Sequence, residues 1–354
     1  MIEFEEQIRS WLDQGQRVLL ATVVKTWGSS PRQAGSNMAV SQDQKISGSV
    51  SGGCVEGAVV DAALEVLASG KPRLLHFGVT DDRAWEVGLA CGGEIEVFVR
   101  EVDKIWLDRR VESRSSGKSF CECVCLDGPE DWPGESWILT AEGELQGKHP
   151  PELVFDQLNA AAIQSIQQKQ SKSMEFSTDD PDLTVQWNIF FELVQPPPVL
   201  ILVGGGHISI PLTEIAAVIG FDTVVIDPRG LFSDPDRFPA GTKIHREWPQ
   251  EAFSKVQITS STAVVMLTHD PKIDDPALKI SLESNAFYVG ALGSKNTHRK
   301  RLERLEKDGI PRQVLEKIFA PVGLNLGDRS AEGIALAIMA EILQVKNLPD
   351  QSLE

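Results

Sequence analysis

The sequence predicts an α/β protein. A C-terminal Rossmann-like parallel sheet, residues 196–354, is preceded by an α+β domain, residues 1–103, and a small middle segment, residues 104–195. Three observations predict this. After residue 198, apolar runs such as VLILV, DTVVID and TAVVML alternate with helical stretches. Strands that are apolar throughout belong to parallel sheets covered on both faces. The triplet Pro196-Pro197-Pro198 cannot continue a helix and separates this pattern from what comes before it. At 354 residues the chain also exceeds one ordinary hydrophobic core.

Each section has its own texture. The opening MIEFEEQIRSWLDQGQ places Ile2, Phe4, Ile8 and Trp11 at helical spacing. RVLLATVV, SNMAVS and EIEVFVRE read as strands, and GAVVDAALEVLAS as a helix. In the middle segment glycine thins out and Trp, Glu, Gln and Ser increase. There CECVCLDG, ESWILTAEG and VQWNIFFELV read as strands and PELVFDQLNAAAIQSIQQKQ as a helix. Cys121, Cys123 and Cys125 alternate, so on a strand they share one face, either a buried one or a soft-metal one. The last section continues with the helix ISIPLTEIAAVIG and the strand AFYVGAL.

Composition narrows the function. A formal net charge of −17 disfavours a general nucleic-acid binder, because phosphate contacts need a basic face. No apolar run reaches the roughly 18 residues needed to span a bilayer, and the acidic N-terminus has the wrong chemistry for a secretory signal. The expected location is the cytoplasm. Five cysteines there do not form a disulfide framework.

The most specific local feature is the turn Gly204-Gly205-Gly206 between a strand and a helix. Such a turn lets backbone N–H groups approach a phosphate at a helix N-terminus. Ser209 stands where the dinucleotide fingerprint places a third glycine. Asp227 ends the next strand 23 residues after Gly204, near the spacing at which an acid binds a ribose hydroxyl. Arg229 follows, which leaves room for a phosphorylated ribose. His207 either touches a ligand or caps the helix. His269-Asp270 ends a further strand, at the edge where open α/β sheets line their ligand crevice. Gly290 to Lys295 is a second strand–turn–helix element in which Ser294 and Lys295 suit an anion; the other reading is a solvated basic face that includes Arg301, Arg304 and Lys307. Ser330 is a candidate N-cap of the last helix, and Arg329 beside it could reach a phosphate.

Four features precede residue 104: Gly28-Ser29-Ser30-Pro31-Arg32, the run Gly48 to Glu56 that opens into a helix carrying Asp61, the Gly-rich element around Cys91, and His76. A cysteine at a helix N-terminus, as expected for Cys54, meets unsatisfied N–H groups that favour the thiolate, the form that binds soft metals or carries sulfur. A small buried cysteine in a tight helix start is the alternative.

GSSPR, SGSVSGGCVE and LACGGEIEVFV, in that order, resemble the N-terminal domain of the XdhC/CoxI family. VLILVGGGH, VVIDPR, LTHDPKIDDPAL, YVGALGSKNTHRKR and PVGLNLGDRSAEGIALAIMAEIL resemble its C-terminal Rossmann domain. The resemblance covers roughly residues 15–100 and 196–345. It implies an accessory factor that binds the molybdenum cofactor (molybdopterin), supports its sulfuration and inserts it into a molybdenum hydroxylase of the xanthine dehydrogenase type. The implied partners are that apoenzyme and a cysteine desulfurase. The implied cofactor contacts are Cys54, as the molybdenum contact, and Cys91, with Gly204, Gly206 and Asp227 for the nucleotide or pterin phosphate. The chain lacks the iron–sulfur cysteine spacing and the length of a complete dehydrogenase, so a cofactor chaperone is expected rather than the catalytic component. The alternative is an NAD(P)-dependent oxidoreductase built on Gly204, Gly206 and Asp227. No heptad or edge-strand signal decides whether the chain forms a homo-oligomer.

Overall fold

A computed structural model of the chain describes residues 2–28, 32–78, 93–129, 131–180 and 183–348. By internal contacts the chain divides into two compact units, Met1–Pro196 and Pro197–Glu354. Among the described residues no helix is long and apolar enough to cross a membrane.

The first unit opens with α1 (Ile2–Asp13), β1 (Val18–Trp27), β2 (Asn37–Ser41), β3 (Ile46–Gly48), α2 (Glu56–Ser69), β4 (Arg73–Phe77) and β5 (Glu94–Val102). Its first sheet has the order β3-β2-β1-β5-β4, antiparallel throughout. The α2 helix ends where Gly70 takes a left-handed conformation (φ 69°) and its N–H donates to Val66 O. α2 buries Val59, Ala63 and Val66 against Leu19, Ala21, Val23, Ile95 and Val97 on one face of the sheet. The opposite face carries Leu20 and Ala39 against Ile8 and Trp11 of α1. The opening helix and the three strands expected here are present.

The middle segment supplies α3 (Lys104–Ser115), β6 (Phe120–Asp127), β7 (Ser136–Thr140), β8 (Leu145–Gln146), α4 (Glu152–Gln168), β9 (Lys172–Asp180) and β10 (Leu183–Val194). A second antiparallel sheet results, in the order β8-β7-β6-β10-β9. Alternation divides its side chains cleanly. Cys121, Cys123 and Cys125 lie under Val154, Leu158 and Ala162 of α4, so their shared face is the buried one. Burial pushes the Cys125 thiol up to about 12 and raises the Cys123 thiol well above its ordinary range. Val124, Leu126 and Phe190 point the other way and meet Val24 and Phe98 of the first sheet. Two sheets thus pack face to face, with α2 outside one and α4 outside the other.

Between the sheets lies a buried ion network. Glu122 Oε1 accepts from Arg100 (2.6 Å) and from the Trp106 indole (2.6 Å), and Arg110 pairs with Oε2. Arg110 also reaches Glu192 (2.7 Å), whose Oε1 accepts from Asn37 (3.0 Å). Arg114 pairs with Glu5 at 2.9 Å. Burial by itself raises the Glu122 carboxyl, but the flanking arginines win and hold it below its ordinary range.

The second unit alternates strand and helix: β11 (Val199–Val203), α5 (Ser209–Val218), β12 (Asp222–Ile226), β13 (Lys243–His245), α6 (Pro249–Ala252), β14 (Thr262–Met266), α7 (Pro271–Glu283), β15 (Tyr288–Ala291), α8 (Lys295–Lys307), α9 (Arg312–Leu315) and α10 (Ala331–Asn347). All its strands are parallel, in the order β13-β12-β11-β14-β15. Leu200, Leu202, Val225 and Val265 face Leu212 of α5 and Ile338, Met339 and Ile342 of α10. Ile201, Val203, Val224 and Met266 face Ile273 and Leu278 of α7 and Leu305 of α8. Each such fully buried side chain contributes roughly 1.5–3 kcal/mol. This is the Rossmann-like parallel sheet that the apolar strand pattern predicts.

Candidate functional site

The topology of the first sheet gathers its motifs. β1, β3 and β4 run in one direction and β5 runs against them. The end of β1 at Trp27, the loop leaving β3 at Gly48, the N-terminus of α2, the end of β4 at Phe77 and the start of β5 at Glu94 therefore all belong to one end of the sheet. Cys91 and residues 29–31 of the GSSPR motif lie outside the described residues.

At this end the run Ser49–Val55 wraps around one carboxylate. Glu56 Oε1 accepts from the Ser49 hydroxyl (2.8 Å) and from the amides of Ser51 (2.9 Å) and Gly52 (3.0 Å). Its Oε2 accepts from the Gly53 amide (2.8 Å) and the Ser51 hydroxyl. The amides of Val50 and Val55 complete the ring at 3.3 Å. Gly52 and Gly53 have φ of 84° and 120°, a region that an L side chain adopts only under strain. Partial burial works to raise the Glu56 carboxyl, but these donors outweigh it and lower the group to about 2. Cys54 rides on this loop with an exposed side chain, and its amide donates to Ser51 Oγ (3.1 Å).

This arrangement corrects one physical expectation for Cys54. α2 begins at Glu56, with Val55 as its N-cap, so Cys54 precedes the helix by two residues. The loop amides around the cysteine, those of Ser51, Gly52, Gly53 and Val55, are turned on Glu56. The buried-cysteine alternative does not hold either, because Cys54 is exposed. In the sequence Glu56 stands in the motif without a role. The available signal was an acid in the first turn of a helix that follows a Ser/Gly-rich run.

In the second unit the strand order reverses between β11 and β14, the switch point at which doubly wound sheets bind ligands. The turn Gly204–Gly206 follows β11, Thr268–Asp270 follow β14, and Leu292–Lys295 follow β15. Gly204 has φ 116°, and a Cβ there would stand 2.7 Å from Thr268 Cγ2. A Cβ on Gly205 would collide with the Phe232 carbonyl oxygen, whereas Gly206 faces open space. Only Gly206 therefore leaves the turn open to a phosphate. Ser209, in the place of the third fingerprint glycine, is fully buried and donates to Gly204 O at 2.5 Å, closing the turn from inside.

Asp227 is fully buried and engaged. Its Oδ2 accepts from the Gly205 amide (2.8 Å) and Arg229 Nη2 (2.7 Å). Its Oδ1 accepts from the Arg229 amide and Nε, both at 2.9 Å. Both oxygens are thus committed to the protein, and a ribose hydroxyl would have to displace Arg229. Asp227→Ala is expected to cost about 1–3 kcal/mol by stranding the Gly205 amide. A urea titration checks this, and an unchanged midpoint would sink the structural role.

The remaining expected residues divide. His207 is exposed and does not cap α5, whose N-cap Ile208 has no side-chain bond. His269 is exposed with φ 63°, and Asp270 caps α7 by accepting from the Lys272 amide (2.9 Å). Ser294 caps α8 through the Thr297 amide (3.1 Å), with Lys295 exposed beside it. Ser330 caps α10 through Gly333 (3.0 Å), and Arg329 is exposed. The reading of a solvated basic face fails for Arg301, while Arg304 stays partly exposed and Lys307 exposed. Arg301 is buried, donates to Leu292 O (2.9 Å) and lies 3.9 Å from Asp274, while Arg304 makes a two-pronged pair with Asp275. Among the described residues no group of three His, Cys, Asp or Glu side chains could hold a metal ion.

The same two-part layout recurs in known proteins. The profile described as XdhC Rossmann domain matches residues 200–342, and that of the XdhC and CoxI family matches residues 11–78. A Bacillus subtilis protein named as a probable xanthine dehydrogenase component is 28% identical, with 98% of each chain covered. The Escherichia coli molybdenum cofactor insertion chaperone PaoD is 28% identical over 95% of this chain and 85% of its own. A Bacillus halodurans crystal structure described as a xanthine dehydrogenase superposes with a TM-score of 0.76 at 26% identity, covering 99% of this chain and 97% of the other. With both of its characteristic domains matched in order, the chain belongs to the XdhC and CoxI family.

Proposed function

We propose that this protein is an accessory factor that binds the molybdenum cofactor, supports its sulfuration and inserts it into an apoenzyme of the xanthine dehydrogenase type. The observation that carries the reading is the exposed Cys54 thiol, presented on a loop fixed by Glu56 at the sheet end where the N-terminal motifs gather. A thiol is a suitable ligand for molybdenum or a carrier of its sulfur. Within the second unit, the open backbone at Gly206, at the N-terminus of α5, suits a phosphate. The relative named as a molybdenum cofactor insertion chaperone supports the same assignment. A cysteine desulfurase would be the partner that delivers sulfur.

Elemental and pterin analysis of protein expressed anaerobically in a cofactor-producing host tests this. Wild-type protein is expected to carry molybdenum and pterin, and Cys54→Ala to lose most of its molybdenum. If wild type carries neither, the reading fails. The engagement of Asp227 by Gly205 and Arg229 weighs against the alternative, an NAD(P)-dependent oxidoreductase. A nicotinamide cofactor titration is expected to give no saturable binding.

A further inference from the structure

The face of the first sheet that meets the second sheet continues outward past their contact, and there its character changes. Val24 and Phe98 are buried between the sheets, but the next cross-strand row is Lys25, Glu96 and His76. Glu96 Oε1 stands 3.5 Å from both Lys25 Nζ and His76 Nδ1. These distances orient the carboxylate without saturating its acceptors. One row further out, Trp27 pairs across the ladder with Glu94 on the same face. Trp27 is 74% exposed, although it ends a strand that is otherwise mostly buried.

This row forms the floor of a cleft. A space of about 950 Å³ runs from Lys25 and Glu96 to β9 and β10, where Ser173, Glu175 and Asn188 form the far wall. A second space of about 300 Å³ shares Lys25, Thr26 and Glu96 and extends over Trp27 and His76. Among the described residues the Asn188 carboxamide oxygen has no hydrogen-bond partner. Clefts of this size match small-molecule sites.

The groups present select the ligand. An exposed indole offers a stacking face. Ionised carboxylates only accept hydrogen bonds, so Glu94 and Glu96 call for a ring edge that carries adjacent N–H donors. Lys25 and His76 place N–H donors beside that edge, where the ring's 4-oxo group can accept from them. We infer that this cleft binds a 2-amino-4-oxopyrimidine ring, stacked on Trp27 with its N–H edge on Glu96. Pterins and guanine nucleotides share that edge. The inference rests on the accessory reading for choosing the pterin, and it gives that cofactor's organic part a seat within the first unit.

Fluorescence anisotropy with neopterin monophosphate and the full chain tests it. Wild type is expected to bind saturably, with Trp27→Ala and Glu96→Gln each weakening affinity about tenfold or more. Trp27 is exposed and Glu96 makes no short bond, so both variants keep the fold, which circular dichroism checks. Guanosine monophosphate is expected to compete and adenosine monophosphate, which lacks the paired donors, to fail. Absence of binding by wild type, equal binding by Trp27→Ala, or equal competition by the two nucleotides would overturn the inference. If wild type and Trp27→Ala copurify with the same molybdenum and pterin content, this seat is wrong and the accessory role stands. If the pterin titrates as expected but nothing copurifies, the accessory role fails and the seat stands.

Discussion

Glu122→Ala is expected to lower the stability of the first unit by about 3–5 kcal/mol, the range for removing one partner of a buried charge pair. Arg100 and Arg110 are both nearly inaccessible and both spend donors on this carboxylate, as does the Trp106 indole. Without it two guanidinium groups compete for Glu192, and burial penalises what is left unpaired. Urea denaturation followed by far-ultraviolet circular dichroism measures the loss. A change below about 1 kcal/mol would mean that water or rearranged side chains replace Glu122 readily. Replacing Arg100, Arg110, Glu122 and Glu192 together by apolar residues of similar volume is expected to recover much of the loss, because desolvation of both signs disappears at once.

Glu56→Ala is the second large effect, and it is local. The variant strands the amides of Ser51, Gly52 and Gly53, and the loop that presents Cys54 loses its centre. A cost of about 2–3 kcal/mol is expected from hydrogen bonds to a charged group. Amide exchange across residues 50–55 is expected to accelerate at least tenfold while α4 is unaffected. The pH dependence has a definite sign. The folded carboxyl titrates near 2, below its ordinary 4.5, so its stabilising contribution is complete above about 4.5 and is lost as the pH falls toward 2. Protection factors, which correct for the intrinsic pH dependence of exchange, that stay flat over that window in the wild type would refute the cage as the source of loop order.

These two carboxylates mark where sequence reading succeeds and where it stops. The strands of the second unit are legible because VLILV, DTVVI and TAVVM are apolar at nearly every position, and burial on both faces needs nothing from elsewhere in the chain. The cap Ser330 and the strand–turn–helix at Gly204 are equally local. α3 is not legible, because its buried face carries Arg110, Ser113 and Arg114 beside Trp106 and Leu107. Only Glu122, Glu192 and Glu5, brought from distant strands and a distant helix, make that burial tolerable. β9 escapes for a related reason: KSMEFSTDD is polar enough to read as a loop, and it is a strand because β10 pairs with it along its length.

The candidate site follows the same division. The sequence by itself determined the family resemblance, the glycine turn and the cysteine-bearing loop, since each depends on residues within a few positions of one another. Tertiary structure alone decided that Asp227 is consumed by Gly205 and Arg229, that Arg301 is buried, and that Lys25, Glu96, His76 and Trp27 form one floor. The physical reason is that hydrogen-bond saturation, burial and cross-strand adjacency are properties of pairs distant in sequence, and no local pattern encodes which partner arrives.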